Sequence, residues 1–243
     1  MSVLKIIFED EELMVVNKPS GLTVNRSDTT KGEKTLQDLI EDEGKIGTDS
    51  SDQEFLDRSG IVHRLDKETS GALIVAKNSE SFHSLQAQFK ERKVGKRYIA
   101  LSHGKVMSEG EISVPVGRLP WNRKRFGVLA GGREAKTFYK VKNYYENPKT
   151  KEILSLLEIE PKTGRTHQIR VHLKYISHPI FGDFLYSGRK TSRDDRKELE
   201  RVFLHAFEIS FDHPKTLERL TFESALPQEL LGLLEKLELK QNN

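Results

Sequence analysis

HRLDKETSGALIVAK, which occupies residues 63–77, joins a dense polar turn directly to an apolar segment. The apolar half, GALIVAK, is typical of a buried strand. The polar half places four ionisable side chains within five positions: His63, Arg64, Asp66 and Lys67. Such residues rarely build a core, and a turn held by a rigid strand is a common place for a reactive side chain. Asp66 is therefore a candidate nucleophile or general base, with capping of the turn as the structural alternative.

On either side of this stretch, the pattern of residues predicts more strands than helices. Strand patterns occur in VLKIIF, LMVV, KRYIALSHG, EISVPVG, AKTFYKVKNYY, ILSLLEIEP, FLHAFEISF and RLTFESAL. Helix patterns begin at Thr35, after Asn78, at Arg165 (ending at Ile176) and after Pro227. Two polar stretches are predicted as surface loops, residues 44–60 and the basic segment Arg118–Gly132. Because strands and helices rarely alternate one for one, we expect an α+β fold with a mixed, mainly antiparallel sheet.

The composition narrows the classes of protein that this chain can represent. It has 243 residues, of which 35% are hydrophobic and 32% are charged, and it contains no Cys. No apolar run approaches the roughly 20 residues that span a bilayer, and the N-terminus lacks the plan of a signal peptide. Without Cys, disulfides, thiolate nucleophiles and Cys-based metal sites are excluded. We expect a cytoplasmic protein without a membrane partner.

Charge is distributed unevenly along the chain. Residues 1–60 contain 7 Lys and Arg against 14 Asp and Glu, whereas residues 61–140 contain 16 against 7. A basic centre favours a polyanionic partner, most simply a nucleic acid. A solvated basic surface without a partner is the alternative.

A second polar cluster, GRTHQIRVHL, lies at the start of the predicted helix from Arg165. Its guanidinium and imidazole groups would keep a nearby carboxylate ionised and oriented. An exposed amphipathic helix with solvated charge is the competing interpretation, with Ile169, Leu173 and Ile176 as its buried stripe.

Other chemistries find less support in the sequence. Tyr98 lies among cations, which suits a stacking platform for an unpaired base, although a Tyr on a strand more often packs in the core. A metal site built from His63, Asp66, His167 and His172 lacks the H-E-x-x-H pattern and has repelling Arg neighbours, so no metal is expected. The chain also lacks the phosphate-binding, dinucleotide and serine-hydrolase motifs, so no nucleotide cofactor is expected.

The two polar clusters together resemble the RluA-type pseudouridine synthases. HRLDKETSGALIVAK resembles the family's central motif, and GRTHQIRVHL resembles its later arginine motif. Four more segments agree in order: VVNKPSGLTV, KRYIALSHG, HPIFGDFLY and FLHAFEISFDHP. The resemblance covers about residues 3–226, and residues 227–243 are expected to form a C-terminal helix and tail.

The resemblance implies an isomerase that converts specific uridines of ribosomal or transfer RNA to pseudouridine without cofactor or metal. Asp66 takes the place of the catalytic aspartate, which attacks the base, or attacks or deprotonates the ribose. Tyr98 matches the active-site tyrosine, and Arg170 matches the arginine that pairs with the aspartate. The reacting uridine must leave its stack, at a cost of a few kcal/mol. A non-catalytic protein that binds structured RNA on the same scaffold remains the alternative.

The resemblance also implies the fold and the RNA contacts. We expect one pseudouridine synthase domain over residues 1–243, with a long bent sheet flanked by helices and loops, acting as a monomer. Family members often carry a small RNA-binding module before this domain, and we expect none here. Substrate choice then falls to the segments Arg118–Gly132 and Arg189–Glu200. The candidate RNA-binding residues are His63, Arg64, Lys67, Lys96, Arg97, Arg123, Arg125, Arg165 and His167.

Overall fold

The computed structural model describes residues 4–27, 30, 32–47, 50–122 and 125–240. The chain divides into two compact units, unit 1 (residues 1–96 and 206–225) and unit 2 (residues 97–205 and 226–243). The strands are β1 (Lys5–Glu9), β2 (Leu13–Lys18), β3 (Ser70–Ala76), β4 (Gly95–His103), β5 (Glu109–Ser113), β6 (Val116–Arg118), β7 (Phe126–Val128), β8 (Lys136–Glu146), β9 (Ile153–Pro161), β10 (Leu204–Asp212), β11 (Arg219–Glu223) and β12 (Glu238–Lys240). The helices are α1 (Leu36–Asp42), α2 (Gln53–Asp57), α3 (Ser79–Lys90), α4 (Gln168–Tyr175), α5 (Arg189–Asp195) and α6 (Gln228–Leu234).

Unit 1 is organised around β3, the strand that follows the polar turn. All seven residues of β3 are buried, and β2 pairs with it in antiparallel register from Leu13↔Ala76 to Lys18↔Gly71. Helix α3 packs on this strand, with Phe82 and Leu85 in the core of the unit. Burial on both faces explains why β3 is apolar without alternation.

Gly71 lets another backbone approach the start of β3. Its φ is +120°, and a Cβ built there would lie 2.2 Å from the carbonyl oxygen of Ala206 in β10. No side chain fits such a gap, so the glycine of the central motif is a packing requirement of unit 1.

The helices of unit 1 begin at polar caps that the sequence displays. Thr35 and Asp38 form a reciprocal capping box at α1, and Asn78 accepts a hydrogen bond from the backbone N–H of Ser81 at α3. The prediction of a surface loop over residues 44–60 was wrong for α2, where Phe55 is fully buried. A single anchoring aromatic in a polar stretch has too little periodicity to reveal a five-residue helix.

In unit 2 the strands follow the order β4, β9, β8, β12, with β5 also paired to β8, while β6 and β7 form a separate two-stranded hairpin. Each of these pairings is antiparallel. The predicted strand EISVPVG is divided between β5 and β6, since Pro115 lacks the N–H that a continuous strand would need. The predicted loop Arg118–Gly132 was wrong in part, because it contains β7.

Two further expectations for unit 2 need correction. Helix α4 begins at Gln168 rather than Arg165, because His167 adopts a left-handed conformation with φ of 56°. Six of its eight residues are buried, so the interpretation of α4 as an exposed amphipathic helix was wrong. Within Arg189–Glu200, for which the sequence leaves a loop and a solvated helix equally open, residues 189–195 form α5.

The architecture confirms the predicted α+β class. A large, mostly antiparallel sheet is accompanied by few and short helices. In the described part of the chain, no helix combines the length and the apolar character needed to cross a membrane.

Candidate active site

The turn that carries Asp66 is fastened to the NKPSG segment of unit 1. The backbone N–H of Thr69 donates to the carbonyl of Asp66 at 3.0 Å, which closes the turn. The next two carbonyls accept hydrogen bonds from the other segment: Gly21 N–H binds Lys67 at 2.9 Å, and Ser20 Oγ binds Glu68 at 2.8 Å. The backbone beside Asp66 is therefore fixed from behind by residues about 48 positions earlier.

Lys18 links the NKPSG segment to the turn of Asp66 by hydrogen bonds. Its side chain is fully buried, and its Nζ donates to the carbonyls of Pro19 at 2.9 Å, Leu22 at 2.7 Å and Lys67 at 3.1 Å. A buried ammonium group is tolerated when its donors are satisfied in this way. Sequence reasoning did not single out Lys18, although it quoted the NKPSG segment.

His63 is held as a neutral ring. Its Nε2 accepts a hydrogen bond from the backbone N–H of Ile74 at 2.9 Å, and its ring stacks on Phe89 at 4.6 Å between centroids. Burial, and secondarily the charge of Lys96, lower the pKa of His63 to about 3. Burial also lowers the pKa of Lys96, whose Nζ lies 6.0 Å from the Phe89 ring centroid. At neutral pH, His63 therefore offers RNA no positive charge.

The two other candidate cations of the turn face outward. Arg64 and Lys67 are exposed, and the Nζ of Lys67 lies 2.7 Å from a carboxylate oxygen of Glu33, with both side chains about half exposed. Exposed ion pairs of this kind contribute little to stability. Unit 1 thus brings Asp66 together with two exposed cations on one turn.

Unit 2 holds Tyr98 and Arg97 on strand β4. Tyr98 is half-buried and lies opposite Ile159 of β9. Neighbouring side chains alternate between the faces of a strand, so Arg97 points the other way, with its Nη1 3.4 Å from Glu158. That face forms a groove of about 430 Å³ whose charged lining is Arg97, Lys140, Glu109, Glu111, Glu158 and Glu160. Its excess of carboxylates disfavours phosphate near Arg97.

Arg170 is buried in unit 2 beside an unpredicted carboxylate. Its Nε and Nη2 donate to the two oxygens of Asp183 at 2.7 and 2.9 Å. The side chain of Arg170 is 7% exposed and that of Asp183 is fully buried. The guanidinium carbon also lies 5.1 Å from the ring centroid of Tyr186. This pair engages two of the five N–H donors of the guanidinium.

Several residues that precede Arg170 are held by hydrogen bonds within unit 2. The Nε of Arg165 donates to the carbonyl of Glu134 at 3.0 Å, and the Nδ1 of His167 lies 2.9 Å from the hydroxyl of Tyr186. The side-chain oxygen of Gln168 accepts from the backbone N–H of Arg165 at 3.0 Å. These contacts place Arg165 and His167 in the frame of unit 2, and their RNA contacts stay predictions.

The remaining candidates add little geometry. Arg125 is half-buried in the turn between β6 and β7, where its carbonyl accepts from the N–H of Leu119 at 3.0 Å. Arg123 lies outside the described residues. His172, a member of the hypothetical metal set, is engaged by Thr137 and the carbonyl of Val114. Among the residues that the structure describes, no group of three or more His, Asp or Glu side chains is arranged to hold a metal ion.

Comparison with known proteins identifies the family. The family model described as RNA pseudouridylate synthase matches residues 12–175. Ribosomal large subunit pseudouridine synthase D of Nitrosomonas europaea is 37% identical over 96% of this chain. An uncharacterized RNA pseudouridine synthase of Bacillus subtilis is also 37% identical over 96% of this chain. The chain spans 64% of the length of the first protein and 73% of the second.

The solved structures agree with the sequence comparison. The human RNA pseudouridylate synthase domain containing 1 superposes with a TM-score of 0.73 at 28% identity, covering 98% of this chain and 89% of the human one. The chain belongs to the RNA pseudouridylate synthase family. The predicted RluA-type membership and pseudouridine synthase fold are confirmed.

Proposed function

We propose that this protein isomerises uridine in RNA to pseudouridine. The observation that carries the proposal is the family match over residues 12–175, a range that includes Asp66, Tyr98 and Arg170. In this reaction the bond from C1′ of the ribose to N1 breaks and a bond from C1′ to C5 forms. The proton on C5 is lost and N1 gains one, so the reaction is redox-neutral and needs no external donor. We therefore propose that it runs without cofactor or metal.

Asp66 is the proposed catalytic carboxylate. It lies on a turn whose backbone is fixed by Lys18, Ser20 and Gly21, and a carboxylate held in this way suits a nucleophilic or proton-transfer role on an extruded uridine. Arg64 and Lys67 lie on the same exposed turn and are proposed to bind flanking phosphates.

Tyr98 and Arg170 are proposed as further catalytic residues, on the motifs that they occupy. Tyr98 is half-buried, so its ring has surface left on which a base can pack. Arg170 is the guanidinium that the family motif assigns to the catalytic carboxylate, and a buried guanidinium keeps its charge.

The substrate class follows from the relatives. The Nitrosomonas europaea protein is named for the large ribosomal subunit, and we propose large-subunit ribosomal RNA as the substrate of this chain, with transfer RNA as the second candidate. With such a substrate, we propose that the protein acts in the cytoplasm and as a monomer.

The test is pseudouridine mapping by carbodiimide labelling. A chemical label is needed because pseudouridine and uridine have the same mass, so a mass measurement alone does not detect the product. Purified protein is incubated with large-subunit ribosomal RNA and, separately, with unmodified transfer RNA. We expect new pseudouridine in the ribosomal RNA with the wild-type protein and none with Asp66→Asn, while filter binding shows that the variant retains RNA affinity.

Glu68→Gln is the matched control, since it neutralises a neighbouring carboxylate of the same turn. It should form product at close to the wild-type rate. Product formation by Asp66→Asn at the wild-type rate would overturn the catalytic assignment. Product in transfer RNA alone would overturn the substrate assignment and leave the isomerase standing.

A further inference from the structure

Tyr186 touches two parts of unit 2 that have different proposed tasks. Its ring lies against the guanidinium of Arg170, 5.1 Å from the guanidinium carbon to the ring centroid. Its hydroxyl accepts a hydrogen bond from the backbone N–H of Phe126 in β7 at 3.1 Å. The side chain is buried, with 8% of the residue exposed, so it has little freedom to follow one neighbour without the other.

The hydroxyl of Tyr186 has a defined direction. The N–H of Phe126 is only a donor, so the hydroxyl accepts there and directs its own proton elsewhere. The Nδ1 of His167 lies 2.9 Å away and receives that proton when the neutral imidazole carries its own proton on Nε2. The three groups thus form a short polar chain from the β6–β7 hairpin to the N-cap of helix α4, the helix that carries Arg170.

The β6–β7 hairpin, described over residues 116–122 and 125–128, carries groups that suit contact with RNA. Arg118 is the register partner of Phe126, and its guanidinium lies 5.1 Å from that ring. Trp121, in the turn between the strands, is 76% exposed. Exposed cations and aromatic faces are the groups that bind phosphates and unpaired bases.

The hairpin rests on unit 2 through Tyr186 and its neighbours. Val116 and Tyr186 share a buried apolar cluster with Val171 of α4, and Phe126 and Val128 pack against it. A shift of the hairpin would therefore press on the same cluster that supports the ring beside Arg170.

We propose that Tyr186 is a positioning residue that couples RNA engagement by the β6–β7 hairpin to the orientation of Arg170. The proposal rests on the proposed function, in which Arg170 is catalytic. RNA bound by the hairpin fixes the backbone of Phe126. The hydroxyl then fixes the phenol ring, and the ring face holds the guanidinium in its reactive orientation.

The experiment compares Tyr186→Phe with wild type at saturating and at limiting ribosomal RNA. This variant keeps the ring on Arg170 and removes only the hydroxyl. We expect kcat to fall about tenfold with KM changed less than twofold, because the lost interaction serves orientation rather than RNA affinity. A structural role alone would instead lower the melting temperature and leave kcat unchanged.

A double-mutant cycle with Arg118→Ala tests the coupling itself. In the wild-type background, Arg118→Ala should raise KM and also lower kcat, since it loosens the hairpin at Phe126. In the Tyr186→Phe background it should raise KM only. Additive effects on kcat would overturn the proposal. Should Tyr186→Phe fail to fold, an effect of Arg118→Ala on KM alone would overturn it as well.

Tyr144→Phe is the matched control, because it removes a hydroxyl that donates to the carbonyl of Val106 in the same unit. It should leave kcat and the effect of Arg118→Ala unchanged. Different results would refute the proposed function and the coupling through Tyr186. A wild-type protein that makes no pseudouridine would refute the proposed function, whereas an active wild type, an inactive Arg170→Ala and a fully active Tyr186→Phe would refute only the coupling.

Discussion

The guanidinium of Arg170 and the carboxylate of Asp183 form a bidentate ion pair inside unit 2, with N–O distances of 2.7 and 2.9 Å. Buried pairs of this geometry constrain orientation on both partners, since each oxygen has its own donor. The same carboxylate accepts the backbone N–H groups of Leu185 and Tyr186 at 3.0 and 3.2 Å. Asp183 therefore holds both the edge of the guanidinium and the turn that presents the Tyr186 ring to its face.

Removal of Asp183 should be costly. Asp183→Ala removes the bidentate carboxylate from a buried guanidinium, and we expect a loss of about 3–5 kcal/mol in the free energy of unfolding, measured by urea titration. The double replacement Arg170→Met with Asp183→Leu should cost clearly less than the sum of the single replacements. Asp194→Ala, which breaks an exposed pair with Lys197, should leave the transition in place. A loss for Asp183→Ala no larger than for that surface control would contradict this account of the pair.

Replacement of Lys18 should weaken unit 1 and the turn of Asp66 together. Lys18→Met keeps the length of the side chain but withdraws its hydrogen bonds to three carbonyls, at a cost of about 3 kcal/mol. Because Lys67 O is one of those carbonyls, product formation should fall at least about tenfold even where the variant is folded. Lys67→Met, which breaks only a pair with Glu33, is the stability control. Equal unfolding curves for the two variants would show that Lys18 does not fasten the turn.

His103 should make the protein more stable at neutral than at alkaline pH. Burial alone lowers the pKa of this imidazole, but hydrogen bonds to Asp195 and Glu152 outweigh burial and raise its pKa to about 9. The stabilisation is complete below the ordinary value of 6.5 and disappears as the pH rises through 9, by at most about 1.4 kcal/mol per pH unit. Urea unfolding of wild type and His103→Gln between pH 6 and 10 measures this. Parallel pH profiles for the two proteins would exclude the charged imidazole.

His63 should make the folded protein less stable at acidic pH than at neutral pH. Burial, with the nearby charge of Lys96, lowers the pKa of His63 to about 3 in the folded protein. The unfolded chain therefore takes up a proton first, and stability falls as the pH drops below 6.5 towards 3. His63→Asn should flatten that acid limb in a pH series of melting temperatures. An unchanged acid limb in His63→Asn would show that the ring is not held neutral.

Local patterns predicted the elements that bury regular faces. GALIVAK became β3 because seven consecutive buried positions require apolar side chains whatever their partners are. The helix after Asn78 was predicted for a similar reason, since Phe82 and Leu85 recur at helical spacing and both are fully buried. The sequence patterns did not predict two short elements, α2 and β12. Helix α2 depends on one buried aromatic, and β12 has three residues, of which Leu239 is 63% exposed. Such segments are ordered by their neighbours and not by their own pattern.

For the candidate site, too, the sequence predicted some features and missed others. Asp66 and Arg170 were predicted because their motifs are continuous in sequence, and the family that those motifs resemble is confirmed, while the roles of the two residues stay predictions. The local frame of each site residue was not predictable. Lys18 reaches a carbonyl 49 residues away, and His103 pairs with Asp195 at a separation of 92 residues. With 40 basic and 37 acidic side chains in the chain, composition does not select such partners.

By itself the sequence determined the family and the α+β class, because both are written in contiguous motifs and in the period of the apolar residues. Only the tertiary structure decided that Asp183 is the buried partner of Arg170, that His63 is neutral, and that Tyr186 touches both the hairpin and the guanidinium. Hydrogen bonds act over about 3 Å, and which groups come that close is set by how the strands pair and pack.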